Sequence, residues 1–241
     1  MSLSVVLVEP AGPLNVGSVA RLCANFGISQ LRLVAPRCDH LGEEARLMAV
    51  HAEALLEQAQ VFPDLSAALA DCQRVVATSG RMEEEALPLS GPRESLSWLA
   101  EAPGHCEAAL VFGREDRGLS NQELLQAGRI LRLDTSAAYA SMNLSHAVAI
   151  CLHEWQQCQT SDGPEPASRG DDLCARGSLE AALSDAESLL LEVGFLYPHT
   201  AEARMSKLRA LLQRAQIREP EVALLRGMVR QLRWAAQRHC P

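Results

Sequence analysis

The chain has 241 residues, 48% hydrophobic and 22% charged, with 22 Lys and Arg against 30 Asp and Glu and a formal net charge of −8. That balance excludes a disordered tail, a fibrous repeat and a uniformly basic nucleic-acid coat; the length suits one large domain plus a smaller unit. The eight cysteines form no CxxC pair, MSLSVVLVEP lacks a positive leader, and no apolar run reaches about 18 residues, so the chain reads as soluble, cytoplasmic and thiol-reduced, its cysteines being small core residues without metal-ligand spacing.

SVVLVE (4–9) predicts a buried strand, an apolar run rich in β-branched residues. After Pro10, Gly12 and Pro13, the stretch NVGSVARLCANFG repeats Val16, Val19, Ala20, Cys23 and Ala24 at helical spacing, and Gly27 stands where a glycine ends a helix. LRLVAP (31–36) predicts a strand, followed by a helix over 42–59 and a second over 64–72. RVVATS (74–79) is another buried strand, and a loop rich in Pro, Gly and charge (80–93) leads to a short helix near Trp98. AALVFG (108–113), a helix at 121–127, ILRLD (130–134) and a long helix over 143–158 continue the alternation. Continuous apolar strands alternating with helices predict an α/β fold around a parallel sheet covered on both faces.

TSDGPEPASRGDD (160–172) has no apolar period and reads as a linker. Ser178 is a plausible N-cap for a helix to Val193, and after a GFLYP break come helices over 200–216 and 220–238. The predicted organisation is therefore a domain over 1–159, a linker over 160–177 and a helical unit over 178–241. From residue 200 onward nine basic residues face three acidic ones, so this tail is +6 and the rest of the chain −14. Such asymmetry suits a polyanion partner for the tail, and equally two solvated helix faces.

In a parallel α/β sheet, ligands bind at the carboxyl ends of strands. Four loops there carry polar and glycine residues: Asn15 to Arg21, Thr78 to Arg81, Gly113 to Asn121, and Ser141 to Ser145. GPLNVGS is neither GxGxxG nor GxxxxGK[ST], which leaves Asp39 without the glycine turn of a dinucleotide site. Taken singly, Asn15, Ser18 and Asn143 also read as helix caps and Gly113 as a turn.

Taken together, NVGSVAR, FGREDRGLS and SMNLSHAVAI resemble the three signature motifs of the SpoU branch of the SPOUT RNA methyltransferases. Within it the chain is most similar to the TrmJ-type tRNA 2′-O-ribose methyltransferases, which act on anticodon-loop nucleotide 32. VVLVEP, TSGR, GFLYPHTAEARMSKLRALLQRAQ and EVALLRGMVRQL support that subtype.

The resemblance implies a deep trefoil knot ending the catalytic domain, a small all-helical extension that binds tRNA, and a homodimer in which both subunits build the site. It also implies S-adenosylmethionine as cofactor, S-adenosylhomocysteine as product and no metal. Cofactor contacts map to Thr78, Ser79, Gly80, Gly113, Leu133, Ala140, Ser141 and Met142, the last being leucine in many relatives. The implied catalytic set is Arg21, Asn15, Glu115, Ser141 and Asn143, with Glu115 orienting Arg21 through an ion pair. A guanidinium keeps its proton beyond pH ~12, so Arg21 is expected to hold phosphate and polarise the hydroxyl rather than act as a simple base. Arg114, Arg204, Lys207, Arg209 and Arg214 are expected to contact RNA. His146 and His153 share a helix face and suit packing or dimer contact. Glu83, Glu84 and Glu85 leave the tRNA path over their loop open. Two alternatives stand: an rRNA ribose 2′-O-methyltransferase of the same fold, and an inactive RNA-binding module.

Overall fold

The computed structural model describes residues 2–80, 88–102, 106–136, 138–139, 141–160 and 173–239. Ala140, the Glu83 to Glu85 run and most of the 160–177 linker lie outside the described residues.

The strands are β1 (Ser2–Val8), β2 (Gln30–Val34), β3 (Gln60–Phe62), β4 (Arg74–Thr78), β5 (Leu89–Ser90), β6 (Glu107–Phe112) and β7 (Arg129–Leu131). They form one sheet in the order β3-β2-β1-β6-β4-β7-β5, and every pairing is parallel. The helices of the first unit are α1 (Pro13–Asn25), α2 (Glu43–Ala49), α3 (Glu53–Glu57), α4 (Leu65–Ala68), α5 (Pro92–Ala100), α6 (Asn121–Leu124) and α7 (Leu144–Thr160); those of the tail are α8 (Arg176–Glu192), α9 (Pro198–Arg214) and α10 (Glu219–His239).

Alternation along β1 sends Leu3, Val5 and Leu7 to a core shared with Val16, Val19 and Ala20 of α1 and with Val148, Leu152 and Trp155 of α7. Val6 and Val8 point to the opposite core, with Leu65 and Ala68 of α4 and Leu124 of α6. Burial on both faces is why these strands read as unbroken apolar runs. Arg32 in β2 is an exception: only 3% exposed, it donates to the Ala68 carbonyl and pairs with Asp71 at 2.6 Å and 2.8 Å.

Several predicted elements take a different form. The single helix over 42–59 is two, because Val50 adopts φ +56° and breaks the run between α2 and α3. The 64–72 helix shrinks to one turn, capped by the Asp64 carboxylate accepting from the Ala67 amide at 2.9 Å. β3 and β5 are short edge strands with too few apolar residues to show in the sequence pattern. Ser178 is not the α8 cap; the helix starts at Arg176, after Ala175.

Gly17 is where two helices meet. A Cβ there would lie 2.1 Å from the Ala45 carbonyl oxygen of α2, and backbone on both sides cannot yield as a flexible side chain could. Alanine is the better helix former by about 1 kcal/mol, yet Gly17→Ala is expected to destabilise by about 1–3 kcal/mol through overpacking. Urea unfolding checks this; a stabilised variant would show that the α1–α2 contact relaxes freely.

The tail has its own small core of Leu179, Leu183, Leu196, Met205 and Val222. It is tied to the sheet domain by main-chain bonds from Arg176 N to Cys72 O (3.0 Å) and from Gly177 N to Ala70 O (2.9 Å). Leu173 bridges to Arg218, so the ordered helical unit takes in residues just before α8.

Candidate active site

The carboxyl ends of β4, β6 and β7 open onto a cavity of about 340 Å³. Its apolar wall comes from Phe112, Leu131, Leu133, Leu144 and Ala147, and its polar part from loop residues including Thr78, Ser79 and Ser141. The loops reach it because consecutive strand ends lie side by side in a parallel sheet. Gly113 makes one of these loops possible: a Cβ there would sit 2.3 Å from the Gly118 carbonyl carbon and 2.4 Å from the Leu119 nitrogen.

Every described residue assigned to the cofactor lines this cavity: Thr78, Ser79, Gly80, Gly113, Leu133, Ser141 and Met142. Thr78 spends its hydroxyl internally, donating to the Val111 carbonyl at 3.1 Å, which ties β4 to β6. Phe112, Leu131, Thr135, Leu144 and Ala147 also line the cavity and were not foreseen. Phe112, Leu144 and Ala147 lie inside the motif stretches and Leu131 and Thr135 between them in the chain, but as ordinary apolar or hydroxyl residues they carried no chemical mark of their own.

Beside the cavity, three loops are joined by side chains. The Glu115 carboxylate accepts from the amides of Ala11 and Gly12 and from Asn15 Nδ2, each at 3.1 Å. Asn15 Oδ1 accepts from Asn143 Nδ2 at 3.0 Å, and Asn143 Oδ1 accepts from the Ser145 amide (2.9 Å) and hydroxyl (2.7 Å). Glu115 thus fixes the turn entering α1 from another strand's loop, holding the amides of Ala11 and of the N-cap residue Gly12 and the Asn15 side chain. Asn143 caps α7, accepting from the Ser145 and His146 amides.

This geometry corrects the expected ion pair. Glu115 is occupied by Asn15 and two amides, and Arg21 is an exposed residue of α1 that makes no ion pair among the described residues and does not line the cavity of its own chain. Burial works to raise the Glu115 carboxyl, but the Ala11 amide, the Asn15 side chain and further backbone donors outweigh it and hold it below the ordinary glutamate value. A depressed folded-state value means that the stabilisation is present above the unfolded value and lost as pH falls through the folded one. Glu115→Gln is therefore expected to cost about 1–2 kcal/mol near neutrality, with the gap to the native protein closing as pH falls below the glutamate range. Thermal unfolding across pH checks this, and a pH-independent gap would count against the carboxylate's role.

Arg114 is engaged inside the chain. Its side chain is 11% exposed, forks onto Glu123 with two 2.9 Å bonds, and also donates to Glu9. Glu9 holds φ +45°, in a region uncommon for a non-glycine residue, and Arg117 reaches its other oxygen at 3.4 Å. Hydrogen bonding to Arg114 keeps Glu9 below the ordinary carboxylate value. Arg114 is thus an internal brace for the loop after β6, with its fork already filled by carboxylates instead of RNA phosphate.

The tail arginines divide in a similar way. Arg209 is drawn onto Glu180 by two bonds of 2.8 Å and 2.9 Å, which occupies its fork within the tail. Arg204, Lys207 and Arg214 are exposed on α9, and Arg204 lies 5.8 Å over the exposed Phe195 ring.

The family model described as SpoU rRNA Methylase family matches residues 2–153, which sets the class to which this sheet and its loop cavity belong. A second model, tRNA methyltransferase TrmJ, C-terminal domain, matches residues 178–240. The chain is 34% identical over 233 residues to the tRNA (cytidine/uridine-2′-O-)-methyltransferase TrmJ of Cronobacter sakazakii, covering 95% of this chain and 94% of that protein. It is 33% identical over 237 residues to the tRNA (cytidine/uridine/adenosine-2′-O-)-methyltransferase TrmJ of Pseudomonas aeruginosa, covering 94% and 92%. The crystal structure of TrmJ from Z. mobilis superposes with a TM-score of 0.85 at 30% identity, covering 96% of this chain and 99% of that one. The chain belongs to the TrmJ family of SpoU-class methyltransferases.

Proposed function

We propose that the protein is a cytoplasmic enzyme that transfers a methyl group from S-adenosylmethionine to the 2′-hydroxyl of a tRNA ribose, at cytidine or uridine 32 of the anticodon loop. The observation that carries this reading is the hydrogen-bonded chain Glu115–Asn15–Asn143, which fastens the three motif loops together beside one cavity. The cavity fits the cofactor by its chemistry: an apolar wall of Leu131, Leu133 and Met142 for an adenine ring, and hydroxyl and main-chain groups around Ser79, Gly80 and Ser141 for the polar ends. When bound, the cofactor supplies a methyl carried on a sulfonium.

The chain's own residues must then orient the ribose oxygen and manage its proton. Glu115, held ionised by its donors, is a weak base at neutral pH and acts as a holder of Asn15. Arg21 grips a substrate phosphate and polarises the hydroxyl, with the phosphate or a water taking the proton. Its distance from its own chain's cavity supports a site completed by a second copy, in a homodimer. Exposed Leu14 on α1, Leu47 and Met48 on α2 and Ile150 on α7 are suited to that contact. In this reading residues 1–159 are the catalytic domain, closing in a trefoil knot, 160–177 the linker and 178–241 the tRNA-binding extension.

The test is to incubate the protein and methyl-labelled S-adenosylmethionine with unmodified tRNA and rRNA transcripts, digest them and map the 2′-O-methylated nucleotide. Label at tRNA position 32 is expected; label confined to rRNA would overturn the substrate assignment.

A further inference from the structure

A small cavity of about 20 Å³ lies where the tail meets the sheet domain, bounded by Arg74, Trp98, Cys174, Arg176, Gln213 and Gln216. Arg74 and Arg176 are each 8% exposed and Gln213 4%. Arg74 stacks 4.8 Å over the Trp98 ring and donates to the Trp98 carbonyl and, at 3.4 Å, to Gln216 Oε1. The Arg176 side chain makes no hydrogen bond or ion pair among the described residues. Its Nε is enclosed and unpartnered, as are Nε of Arg74 and both amide atoms of Gln213.

Glu101 acts on Arg74 and Glu180 on Arg176 through space, but among the described residues no carboxylate forms an ion pair with either arginine. Arg176 occupies the first turn of α8, at the positive end of the helix dipole. Burial draws its guanidinium down to about 10, so it stays charged at neutral pH. The thiols of Cys72 and Cys174 are pushed up to about 12, burial being the main cause, and remain neutral. Glu180, the acid that acts on Arg176, is engaged by Arg209; Glu219 accepts from the Ala175 amide and does not pair with Arg176. A buried guanidinium that no carboxylate pairs with, as for Arg176 among the described residues, is among the costliest arrangements in a protein interior.

We propose that this junction binds one small inorganic anion of the size and charge of chloride, held by Arg74, Arg176 and Gln213, which fastens the tail to the catalytic domain. The space exceeds the ~10–15 Å³ that a single water needs and is tight for a tetrahedral oxyanion. Water would satisfy a donor without balancing the charge, whereas a halide balances it and accepts from the N–H groups that reach it.

The experiment is thermal unfolding of the full-length protein in sodium chloride against sodium gluconate at equal ionic strength. Chloride is expected to raise Tm by about 3–6 °C at about ten times its Kd, with bromide equivalent and sulfate ineffective. Arg176→Met should erase the chloride–gluconate difference and, in gluconate, melt at or above the native protein. Equal melting in the two salts, an equal effect of sulfate, or a chloride effect preserved in Arg176→Met would overturn the proposal. If that variant folds poorly, native crystals soaked in bromide decide: an anomalous peak between Arg74 and Arg176 supports the site, and none overturns it.

Discussion

Replacing Arg21 by alanine is expected to lower kcat/KM for tRNA methylation by about 10²–10³-fold while leaving S-adenosylmethionine affinity and Tm unchanged. The two halves of this expectation have separate grounds. Arg21 is exposed on α1 and does not line the cavity, so its loss removes no packing and touches no wall of the cofactor site; exposed substitutions of this kind stay within about 0.5 kcal/mol. A guanidinium that holds phosphate and polarises a hydroxyl acts only when substrate is present, and its removal falls on the transition state. Arg21→Lys separates the roles: lysine keeps the charge but not the planar fork, and near-full turnover by this variant would count against the bidentate grip.

The same residue tests whether the site is shared. A bulky residue at Gly80, where an added Cβ meets nothing within 4 Å, should fill the cavity without disturbing the sheet. If Arg21 serves the partner's cavity, mixed dimers of Arg21→Ala and Gly80→Trp chains contain one intact site and regain activity that neither parent has. If it serves its own, mixing restores nothing.

How much of this was legible in the sequence follows from how local each cause is. The parallel sheet was, because strands buried on both faces must be apolar throughout: Val5, Val6, Leu7 and Val8 are all buried, alternately to opposite cores. The cavity residues were legible only through the motif resemblance, since Ser79 or Leu133 alone is an unremarkable side chain. Partnerships that join residues about 100 apart could not be read. Nothing near Glu115 announces that it holds the turn entering α1, and the GREDR run gives no sign that Arg114 is filled by Glu9 and Glu123. Charge counting is blind to pairing for the same reason: Arg209 counts as one of nine tail cations until its pairing with Glu180 is seen. Arg32, in a strand that reads as apolar, shows that a buried charge is tolerated where a carboxylate meets it.

Deleting residues 173–241 is expected to abolish tRNA methylation and leave S-adenosylmethionine binding in place. No tail residue lines the 340 Å³ cavity, whose walls come from the ends of β4, β6 and β7 and the loop before α7. The tail instead presents cations at its surface, among them Arg204, Lys207 and Arg214 on α9 and Arg226, Arg230 and Arg238 on α10, set on a chain that is otherwise −14. Phosphate recognition depends on such a local field and not on the overall sign. Truncation also uncovers Arg74 and Trp98 and breaks the bonds to Cys72 and Ala70, so a lower Tm is expected and does not by itself explain lost activity. A full-length chain carrying Arg204→Glu, Lys207→Glu and Arg214→Glu avoids that difficulty, since all three side chains are exposed. If each meets one phosphate, the slope of log affinity against log salt should flatten by about 2–3 units, and tRNA binding should weaken while calorimetry with the cofactor stays the same. An equally active truncation, or an unchanged salt slope in the triple variant, would move the tRNA-binding surface off the tail and onto the catalytic domain.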